Sequence, residues 1–413
     1  MKNKKLVVIG GGAAGFFCAV NAARLNPSLS VVVIEKSNKL LSKVKISGGG
    51  RCNVTHSCFS IAELVKHYPR GAAFLKKAFH QFNTQHTIDW FAARRVKLVA
   101  EADGRMFPST NTSQTIIDCL LEEANRYNVS IQMSTSIEKM EHSINDGFQL
   151  YLKNGSAIQA DYVCIASGGY PTAAQFKWME HLGHAIVSPV PSLFTFNMPH
   201  HPITSLMGIT VSEVSVKILG TKWQQTGPLL ITHWGISGPA ILKLSAWAAR
   251  ELFEKQYTYQ ISVNWLPAFN EQTLAEQLRV YRFSLAAQKI YNRNPVGLPA
   301  RLWEFLLQQA GVAPDIRWAD LPAKEQNKLV KLLCAHTFDI QGKTTFKEEF
   351  VTAGGLSLQE IEANTLQSKK VPGLFFAGEV IDVDGVTGGF NFQNAWTTGW
   401  IAAQSIASSA SHQ

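Results

Sequence analysis

The stretch that decides the fold is KLVVIGGGAAGFFCAVNAARLNPSLSVVVIEK, residues 5–36. It begins with a short apolar strand at 6–9, passes through the glycine pattern GxGxxG at 10–15, and continues as a helix of small and apolar residues over 16–25. A second apolar strand at 31–34 is followed by an acid. Strand, glycine turn, helix, strand and acid in this order predict a βαβ unit that binds a dinucleotide.

Each glycine of this turn has its own task in the prediction. Gly10 makes the tight turn, Gly12 lets a pyrophosphate approach the backbone, and Gly15 permits close packing of the helix on the strand. The start of the helix offers backbone N–H groups and partial positive charge to the phosphates. Glu35 lies 20 residues after Gly15, where its carboxylate can accept hydrogen bonds from an adenosine ribose.

Composition limits the remaining possibilities. The chain has 413 residues, of which 46% are hydrophobic and 17% are charged, so it can bury two or three domain cores. No apolar run reaches the roughly 18 residues that a membrane span needs. The basic and apolar N-terminus could also be a signal peptide, but the same residues make a better strand, turn and helix.

Cysteines and charge indicate the compartment and the partners. Six cysteines without a repeating spacing argue against a disulfide scaffold or a metal site, so we expect no metal and a cytoplasmic location. The net charge is +9 and the sequence pI is about 9.2, which favours anionic ligands. Because Lys and Arg are dispersed and no interleaving of aromatic and basic residues is evident, nucleic acid is not the expected partner.

Two later segments decide which dinucleotide is bound. DYVCIASGGY, 161–170, is a strand that ends in small residues, as if backbone must again pass close to a ligand. VPGLFFAGEVIDVDGVTGGFNFQNAWTTGWIAAQSIA, 371–407, contains a strand at 374–377, the pair Gly378-Glu379, and a glycine pair before a long helix. This C-terminal segment resembles the last motif of FAD enzymes with the glutathione-reductase-like fold. The resemblance implies non-covalent FAD, an acidic role for Glu379, and a helix start that points at the flavin ring.

Four segments narrow the resemblance to a smaller family. They are SGGGRCN at 47–53, THWGISGPAILKLS at 232–245, VTAGGL at 351–356 and FAGEVIDVDGVTGGFN at 376–391. Together they resemble one bacterial flavoprotein family, which includes aminoacetone-oxidase-like proteins and a flavoprotein of bile-acid dehydroxylation. The resemblance implies that the glycine loop lies against FAD. The chain departs from that family at Leu41, where glycine is usual, at Lys45, where an aliphatic residue is common, and at Asn394, where a bulky aromatic is usual.

Motifs and resemblance together predict one set of cofactor-binding residues. They are Gly10, Gly12, Ala13, Ala14, Gly15, Glu35, Lys36, Lys43, Ser47, Gly48, Gly49, Gly50, Arg51, Cys52, Asn53, Ala166, Ser167, Gly168, Gly378, Glu379, Asp384, Gly388, Gly389, Phe390 and Asn391.

Catalytic residues are less evident from the sequence. Cys52 is a candidate because a cationic neighbour such as Arg51 lowers the pKa of a thiol, although a packed cysteine is the commoner outcome. The spacing of Cys52 and Cys58 differs by one residue from that of flavin disulfide reductases. His233 is the second candidate, and a structural role explains it equally well.

The predicted fold is α/β, with a discontinuous Rossmann-like FAD domain at 1–190 and 340–413. A β-rich, barrel-like insert is predicted at 191–270 and a helical insert at 271–339, from strand-like segments and helical apolar spacing respectively.

The predicted activity is that of an FAD-dependent oxidoreductase, which moves a hydride or electron pair between flavin and a small amine or enone-like substrate. Oxygen or NAD(P)H is the other redox partner, and NAD(P)H would bind only transiently because no second GxGxxG occurs in a βαβ setting. An FAD-dependent tRNA-modifying protein and a non-catalytic flavin-binding redox sensor are the alternatives. The sequence leaves the oligomeric state open.

Overall fold

The computed structural model describes residues 3–344 and 351–411. The chain forms two compact units. The first consists of 1–191 and 346–413, and the second of 192–345. The first unit is therefore built from both ends of the chain.

The strands, in chain order, are β1 Lys5–Ile9, β2 Ser30–Ile34, β3 Thr55–His56, β4 Leu98–Ala100, β5 Arg105–Pro108, β6 Ser130–Gln132, β7 Ile137–Ser143, β8 Gly147–Leu152, β9 Ala157–Ala160, β10 Tyr162–Ile165, β11 Ile186–Ser192, β12 Thr195–Asn197, β13 Thr210–Ile218, β14 Gln224–Thr232, β15 Gly235–Ser237, β16 Thr258–Asn264, β17 His336–Gln341, β18 Lys343–Thr344, β19 Val351–Leu356 and β20 Leu374–Phe376.

The α-helices are α1 Ala13–Leu25, α2 Ser42–Gly50, α3 Ile61–Leu64, α4 Ala72–Phe79, α5 Thr84–Ala92, α6 Gln114–Arg126, α7 Lys177–Glu180, α8 Pro239–Trp247, α9 Ala249–Glu254, α10 Glu271–Ser284, α11 Ala300–Ala310, α12 Ala323–Cys334 and α13 Phe390–Ser411.

A five-stranded sheet with the order β20-β10-β1-β2-β6 organises the first unit. Its neighbouring strands run parallel, with Val7 opposite Val163 on one side and Val32 on the other. Parallel strands are buried on both faces, which explains why β1, β2 and β10 are short apolar runs without alternation. The predicted Rossmann-like α/β class is confirmed.

Helices α1 and α13 pack closely against each other beside this sheet. A Cβ atom at Gly399 would lie 2.7 Å from the carbonyl oxygen of Ala14, so only glycine allows the two backbones to approach this closely. The helix predicted after the glycine pair at 388–389 is α13. The N-terminal and C-terminal parts of the chain thus form one packed layer.

Smaller sheets complete the first unit. Strands β3, β5 and β4 form one antiparallel sheet, and β7, β8 and β9 form another. Strand β19 pairs with β11. A Cβ atom at Gly355 in β19 would lie 2.5 Å from the carbonyl oxygen of Val380, which places β19 directly beside the turn that follows β20.

The second unit contains a seven-stranded antiparallel sheet with the order β17-β16-β13-β14-β15-β12-β18. Helices α10, α11 and α12 share one apolar core with this sheet, in which Trp265 and Trp303 are almost fully buried. The segments predicted as a β-rich and a helical insert therefore lie in one unit. Strands β17 and β18 extend this sheet to residue 344.

No helix within 3–344 and 351–411 combines the length and the apolar character required to cross a bilayer.

Candidate functional site

The first glycine turn connects β1 to α1 as a tight and partly open loop. A Cβ atom at Gly10, where φ is +117°, would lie 2.3 Å from the carbonyl oxygen of Ala166, and one at Gly15 would lie 1.9 Å from that of Gly10. At Gly12 the added atom would meet nothing within 4 Å. Gly10 and Gly15 are therefore required by packing, whereas the backbone at Gly12 faces open space that a ligand can enter.

Glu35, at the end of β2, holds the neighbouring backbone. Its Oε2 accepts a hydrogen bond from the N–H of Gly11 at 2.8 Å, and its Oε1 accepts one from the N–H of Ser37 at 2.8 Å. The carboxylate therefore fixes the glycine turn. The ammonium of Lys36, the next residue, lies 5.7 Å from the ring centroid of Tyr170.

The glycine loop at the end of α2 has an unusual backbone. The helix breaks at Ser47, where ψ is 148°, and Gly48, Gly49 and Gly50 then have φ values of 59°, 69° and 83°. Added Cβ atoms at Gly49 and Gly50 would meet nothing within 4 Å. Successive N–H groups in such a turn form a concave site for an anion, and this one has open space beside it.

The residues after this loop are held by the surrounding protein. Arg51 lies over the ring of Phe107, 4.0 Å from its centroid, and its Nη1 is 2.6 Å from Oε1 of Glu101. The Asn53 side chain, with its oxygen facing the N–H of Gly389 at 3.0 Å, connects the loop to the segment before α13. Both predicted ligands thus have protein partners.

The environment of Cys52 disfavours a thiolate. The residue is fully buried, and burial raises the pKa of its thiol to about 12. The expectation that Arg51 would lower this pKa is therefore wrong, because desolvation outweighs any effect of a cation that is already paired with Glu101. Both Cys52 and Cys58 are free thiols.

The exit of β10 meets β19 and the turn after β20. A Cβ atom at Gly169 would lie 2.5 Å from Oγ1 of Thr352 and 2.8 Å from Oε1 of Glu379. Gly168 has a φ of +76° and open space at its Cβ position. The buried hydroxyl of Thr352 has no hydrogen-bond partner among the described residues, so a polar group remains available here. Predicted residues 166–168 thus lie beside Gly378-Glu379.

Glu379 connects two of the predicted segments. Its Oε2 lies 2.6 Å from the ammonium of Lys43, and its Oε1 accepts a hydrogen bond from the N–H of Thr352 at 2.9 Å. The preceding Gly378 donates its N–H to Oγ1 of Thr398 in α13 at 2.8 Å. The acidic turn is therefore tied to the helix whose start was predicted to face the flavin.

The segment before α13 is a tight glycine turn. Gly388 and Gly389 have φ values of 130° and 93°, and a Cβ atom at Gly389 would lie 2.5 Å from the carbonyl oxygen of Thr55. Asn391 closes the turn through two 2.8 Å hydrogen bonds with the backbone of Gly385. Phe390 follows the turn as the first residue of the 22-residue helix α13.

Asp384 has a different environment from the one expected for a cofactor ligand. It is fully buried and forms a two-point ion pair with the guanidinium of Arg70. This pair neutralises its charge inside the protein.

Two histidines beside the start of α13 were missed from the sequence. The ring of His67 stacks on Phe390 with centroids 4.2 Å apart, and that of His56 stacks on the same ring at 4.8 Å. The hydroxyl of Tyr68 donates to the carbonyl oxygen of Phe390 at 2.7 Å. Their chain positions gave no signal, because His56 lies in β3 and His67 follows α3, and the two rings come together, with centroids 5.9 Å apart, only in the folded protein.

His233, the other predicted catalytic residue, lies in the second unit. It is exposed on the turn between β14 and β15, and its ring contacts that of Trp234 edge to face at 4.3 Å.

These features fit an extended anionic dinucleotide. Open backbone at Gly12, Gly49 and Gly50, positive-φ turns with free space, and the buried hydroxyl of Thr352 all lie in segments that contact one another within the first unit. Such a cradle suits a pyrophosphate and its flanking sugars. Residues around Gly12, the glycine loop, Glu35 and Glu379 would hold FAD, and residues at the start of α13 would border its redox-active ring.

A parallel sheet with this glycine turn, and with a second glycine-flanked helix, is characteristic of dinucleotide-binding proteins. The chain belongs to the family described as the HI0933-like protein Rossmann domain, which matches residues 4–405. Membership makes it an FAD-dependent oxidoreductase and confirms the resemblance found in the sequence.

Three similar proteins illustrate the range of this fold. The chain is 31% identical to a ribosomal RNA dihydrouridine synthase of Escherichia coli, over 100% of both chains. It is 25% identical to a 3-dehydro-bile acid delta(4,6)-reductase of Clostridium scindens, over 98% of this chain and 99% of that one. The solved structure of a 3-ketosteroid delta1-dehydrogenase of Sterolibacterium denitrificans shares the fold, with a TM-score of 0.52 and 13% identity over 99% of this chain and 100% of that one.

Proposed function

We propose that this protein is a reductase that saturates a carbon–carbon double bond conjugated with a carbonyl group. The observation that carries the proposal is that two relatives with different substrates in their names share this chemistry and match the chain along its whole length. A delta(4,6)-reductase of a 3-dehydro bile acid acts on double bonds conjugated with a ketone. Dihydrouridine differs from uridine by two hydrogens across a double bond conjugated with a ring carbonyl.

Residues of the described site are suited to this reaction. When bound, FAD supplies the hydride, and the protein sets geometry and protonation. Saturating a double bond requires a proton as well as a hydride, and His56 and His67 lie beside Phe390 at the start of α13. Imidazole is suited to donate a proton near neutral pH. We therefore assign proton delivery to this histidine pair.

A uracil ring in ribosomal RNA is the favoured substrate within this class. The relative with that activity in its name is 31% identical over the entire chain, and the net charge of +9 suits a polyanionic partner. A steroid-like enone is the second candidate, supported by the bile-acid reductase.

The test uses purified holoprotein reduced under nitrogen with dithionite. It is then mixed with protein-free ribosomal RNA, or separately with a 3-keto-4,6-diene steroid. Mass spectrometry of the nucleosides or the steroid measures a gain of two hydrogens, and flavin absorbance measures reoxidation. We expect product in at least one arm. Reduced flavin that persists with both substrates until air is admitted would contradict the proposal and favour a redox sensor.

The source of electrons is tested in the same apparatus. The chain carries no second GxGxxG in a βαβ setting, so NAD(P)H has no dedicated domain. We expect reduction by NADH or NADPH to remain unsaturated into the millimolar range, above the usual ~1 μM to 1 mM span of KM values. Saturation at micromolar concentrations would show a nicotinamide pocket.

A further inference from the structure

We propose that a basic and aromatic surface on the second unit binds single-stranded RNA. The inference rests on the RNA form of the proposed function, and it identifies where that partner is held. The surface, called here the α10 surface, is formed by α10 and by the two loops that precede and follow α11. It consists of Arg279, Arg282, Phe283, Lys289, Arg293 and Arg317.

The sequence of this region differs from the rest of the chain. The run QLRVYRFSLAAQKIYNRNPVGLPARLW, 277–303, contains five basic residues and no Asp or Glu, and Phe283 is its one highly exposed aromatic residue. The dispersal of positive charge that holds for the whole chain does not hold here. Cationic residues beside an exposed aromatic ring are typical of surfaces that bind single strands.

The fold brings these cations together. Helix α10 buries Leu274 and Leu278, which turns Arg279 and its neighbours toward solvent. Nη2 of Arg282 donates to the carbonyl oxygen of Ala319 at 3.0 Å, next to the loop that carries Arg317.

The two loops are joined as well. Lys289 pairs with Arg317 in an isolated antiparallel bridge, and the N–H of Arg293 donates to the carbonyl oxygen of Lys289 at 3.2 Å. The cations therefore lie on contiguous segments.

Their charges are not neutralised locally. Within 3–344 and 351–411, no carboxylate forms an ion pair with the basic residues of the α10 surface. Asp315 and Asp320 flank Arg317 in the sequence without pairing with it. Unpaired cations held on adjacent segments attract a phosphate backbone and release its counterions on binding.

Phe283 supplies the stacking group. Its side chain is 85% exposed, and the neighbouring Val280 is 55% exposed. A single exposed ring among arginines suits a base that stacks on it. An anionic membrane would require a broader apolar face than these two side chains provide.

The test measures binding of holoprotein to an oligouridylate of about 20 nucleotides, longer than the ~4–16 nucleotides that one single-strand-binding fold covers. One variant combines Arg279→Gln, Lys289→Gln and Arg293→Gln, and another is Phe283→Ala. The matched control combines Lys153→Gln, Lys324→Gln and Lys328→Gln, which removes equal charge from exposed positions elsewhere. Flavin content and thermal unfolding verify that each variant is folded.

We expect the triple α10-surface variant to bind RNA at least about tenfold more weakly and to lower the salt slope by about 2, since each phosphate contact contributes ~0.7 for single strands. Phe283→Ala should weaken binding about tenfold with the salt slope unchanged. The control should bind like the wild type.

Equal RNA binding by the wild type and both α10-surface variants would overturn the inference, as would a wild type that binds phosphatidylserine vesicles and not RNA. Reduction of the steroid enone, which needs no RNA, is measured in the same variants. RNA binding lost in the triple variant, without any substrate reduced by the wild type, would refute the proposed function and leave the surface in place.

Discussion

The ammonium of Lys43 lies 2.6 Å from Oε2 of Glu379, although 336 positions separate the two residues in the sequence. Both were predicted to bind the cofactor, and they meet each other. The pair lets Glu379 hold the N–H of Thr352 with its other oxygen, which fixes the turn after β20. Cofactor affinity should therefore depend on Glu379 more than on the ion pair itself.

We expect Glu379→Gln to weaken FAD binding about tenfold, since hydrogen bonds to charged groups are worth about 1.5–3 kcal/mol. Lys43→Met should change the free energy of unfolding by less than about 1 kcal/mol, because the lysine side chain is 46% exposed. Titration of apoprotein with FAD and urea unfolding measure the two effects. Unchanged FAD affinity in Glu379→Gln would refute a role for this carboxylate.

Gly12 and Gly15 should respond differently to a larger residue. The backbone of Gly12 has φ −93° and ψ −171°, which valine tolerates, and its Cβ position is open. Gly12→Val should therefore fold and lose its flavin. Gly15→Ala should fail to fold stably, because its Cβ would lie 1.9 Å from the carbonyl oxygen of Gly10. Circular dichroism and flavin absorbance distinguish these outcomes, and a yellow Gly12→Val would contradict the assignment.

Cys52 should be inert in the folded protein. Burial raises its pKa to about 12, so almost no thiolate exists at pH 8. N-ethylmaleimide at pH 8 should label partly exposed Cys58 and leave Cys52 unmodified until the protein is unfolded. Reductive titration should consume two electrons per flavin in both the wild type and Cys52→Ser. Four electrons in the wild type and two in the variant would reveal a thiol cycle.

The pH dependence of turnover distinguishes a catalytic role of His56 and His67 from a structural one. On the proposed function, His56→Gln and His67→Gln should lower turnover by about 10²–10⁴ between them while FAD binding is kept. A proton donor works in its protonated form, so wild-type turnover should fall as pH rises and the donor loses its proton. The profile should flatten in the variants. His80→Gln, at an exposed position after α4, is the control and should keep the wild-type profile.

His336 makes the second unit sensitive to acid. Burial, and then the nearby His201, lower its pKa from 6.5 to about 4, and its Nδ1 accepts a hydrogen bond from Trp265. Between pH 6.5 and about 4, His336 is protonated in the unfolded chain and neutral in the folded chain. The stability that the neutral ring contributes is therefore complete above pH 6.5 and is lost as pH falls toward 4.

The loss amounts to about 3 kcal/mol at most, at ~1.4 kcal/mol per pH unit. Urea unfolding from pH 7 to pH 4 should show a smaller decrease for His336→Gln than for the wild type. His80→Gln should follow the wild type. Parallel stability curves for His336→Gln and the wild type would contradict the role of His336.

The sequence predicted those parts of the site that depend on local backbone geometry. The GxGxxG turn, the acid after β2 and the glycine pair before α13 can be read from spacing, because each requires particular residue types at fixed offsets. Leu41 follows the same logic, since it has a φ of 53° where related proteins were expected to have glycine. Backbone conformation restricts residue type directly, and this leaves a signal in a single sequence.

Side-chain partners could not be predicted in this way. The histidine pair meets on Phe390, Asp384 pairs with Arg70, and burial controls the Cys52 thiol. Each depends on how distant segments pack, and the residue types involved are compatible with many other contacts. Glu35 is an intermediate case, since its position was predicted and its hydrogen bonds to two backbone N–H groups were not.

The contact between Gly399 and Ala14 has a consequence for the order of events on the ribosome. Helix α1 and strand β10 are synthesised before the whole of 192–345, but their respective partners α13 and β20 are synthesised after it. All strands of the second unit's sheet are therefore synthesised before β20, which completes the five-stranded sheet of the first unit. At a synthesis rate of about 5–20 residues per second, many seconds pass between the synthesis of the glycine turn at 10–15 and that of α13. We therefore expect the nascent chain to bind FAD only after α13 has been synthesised and can pack against α1.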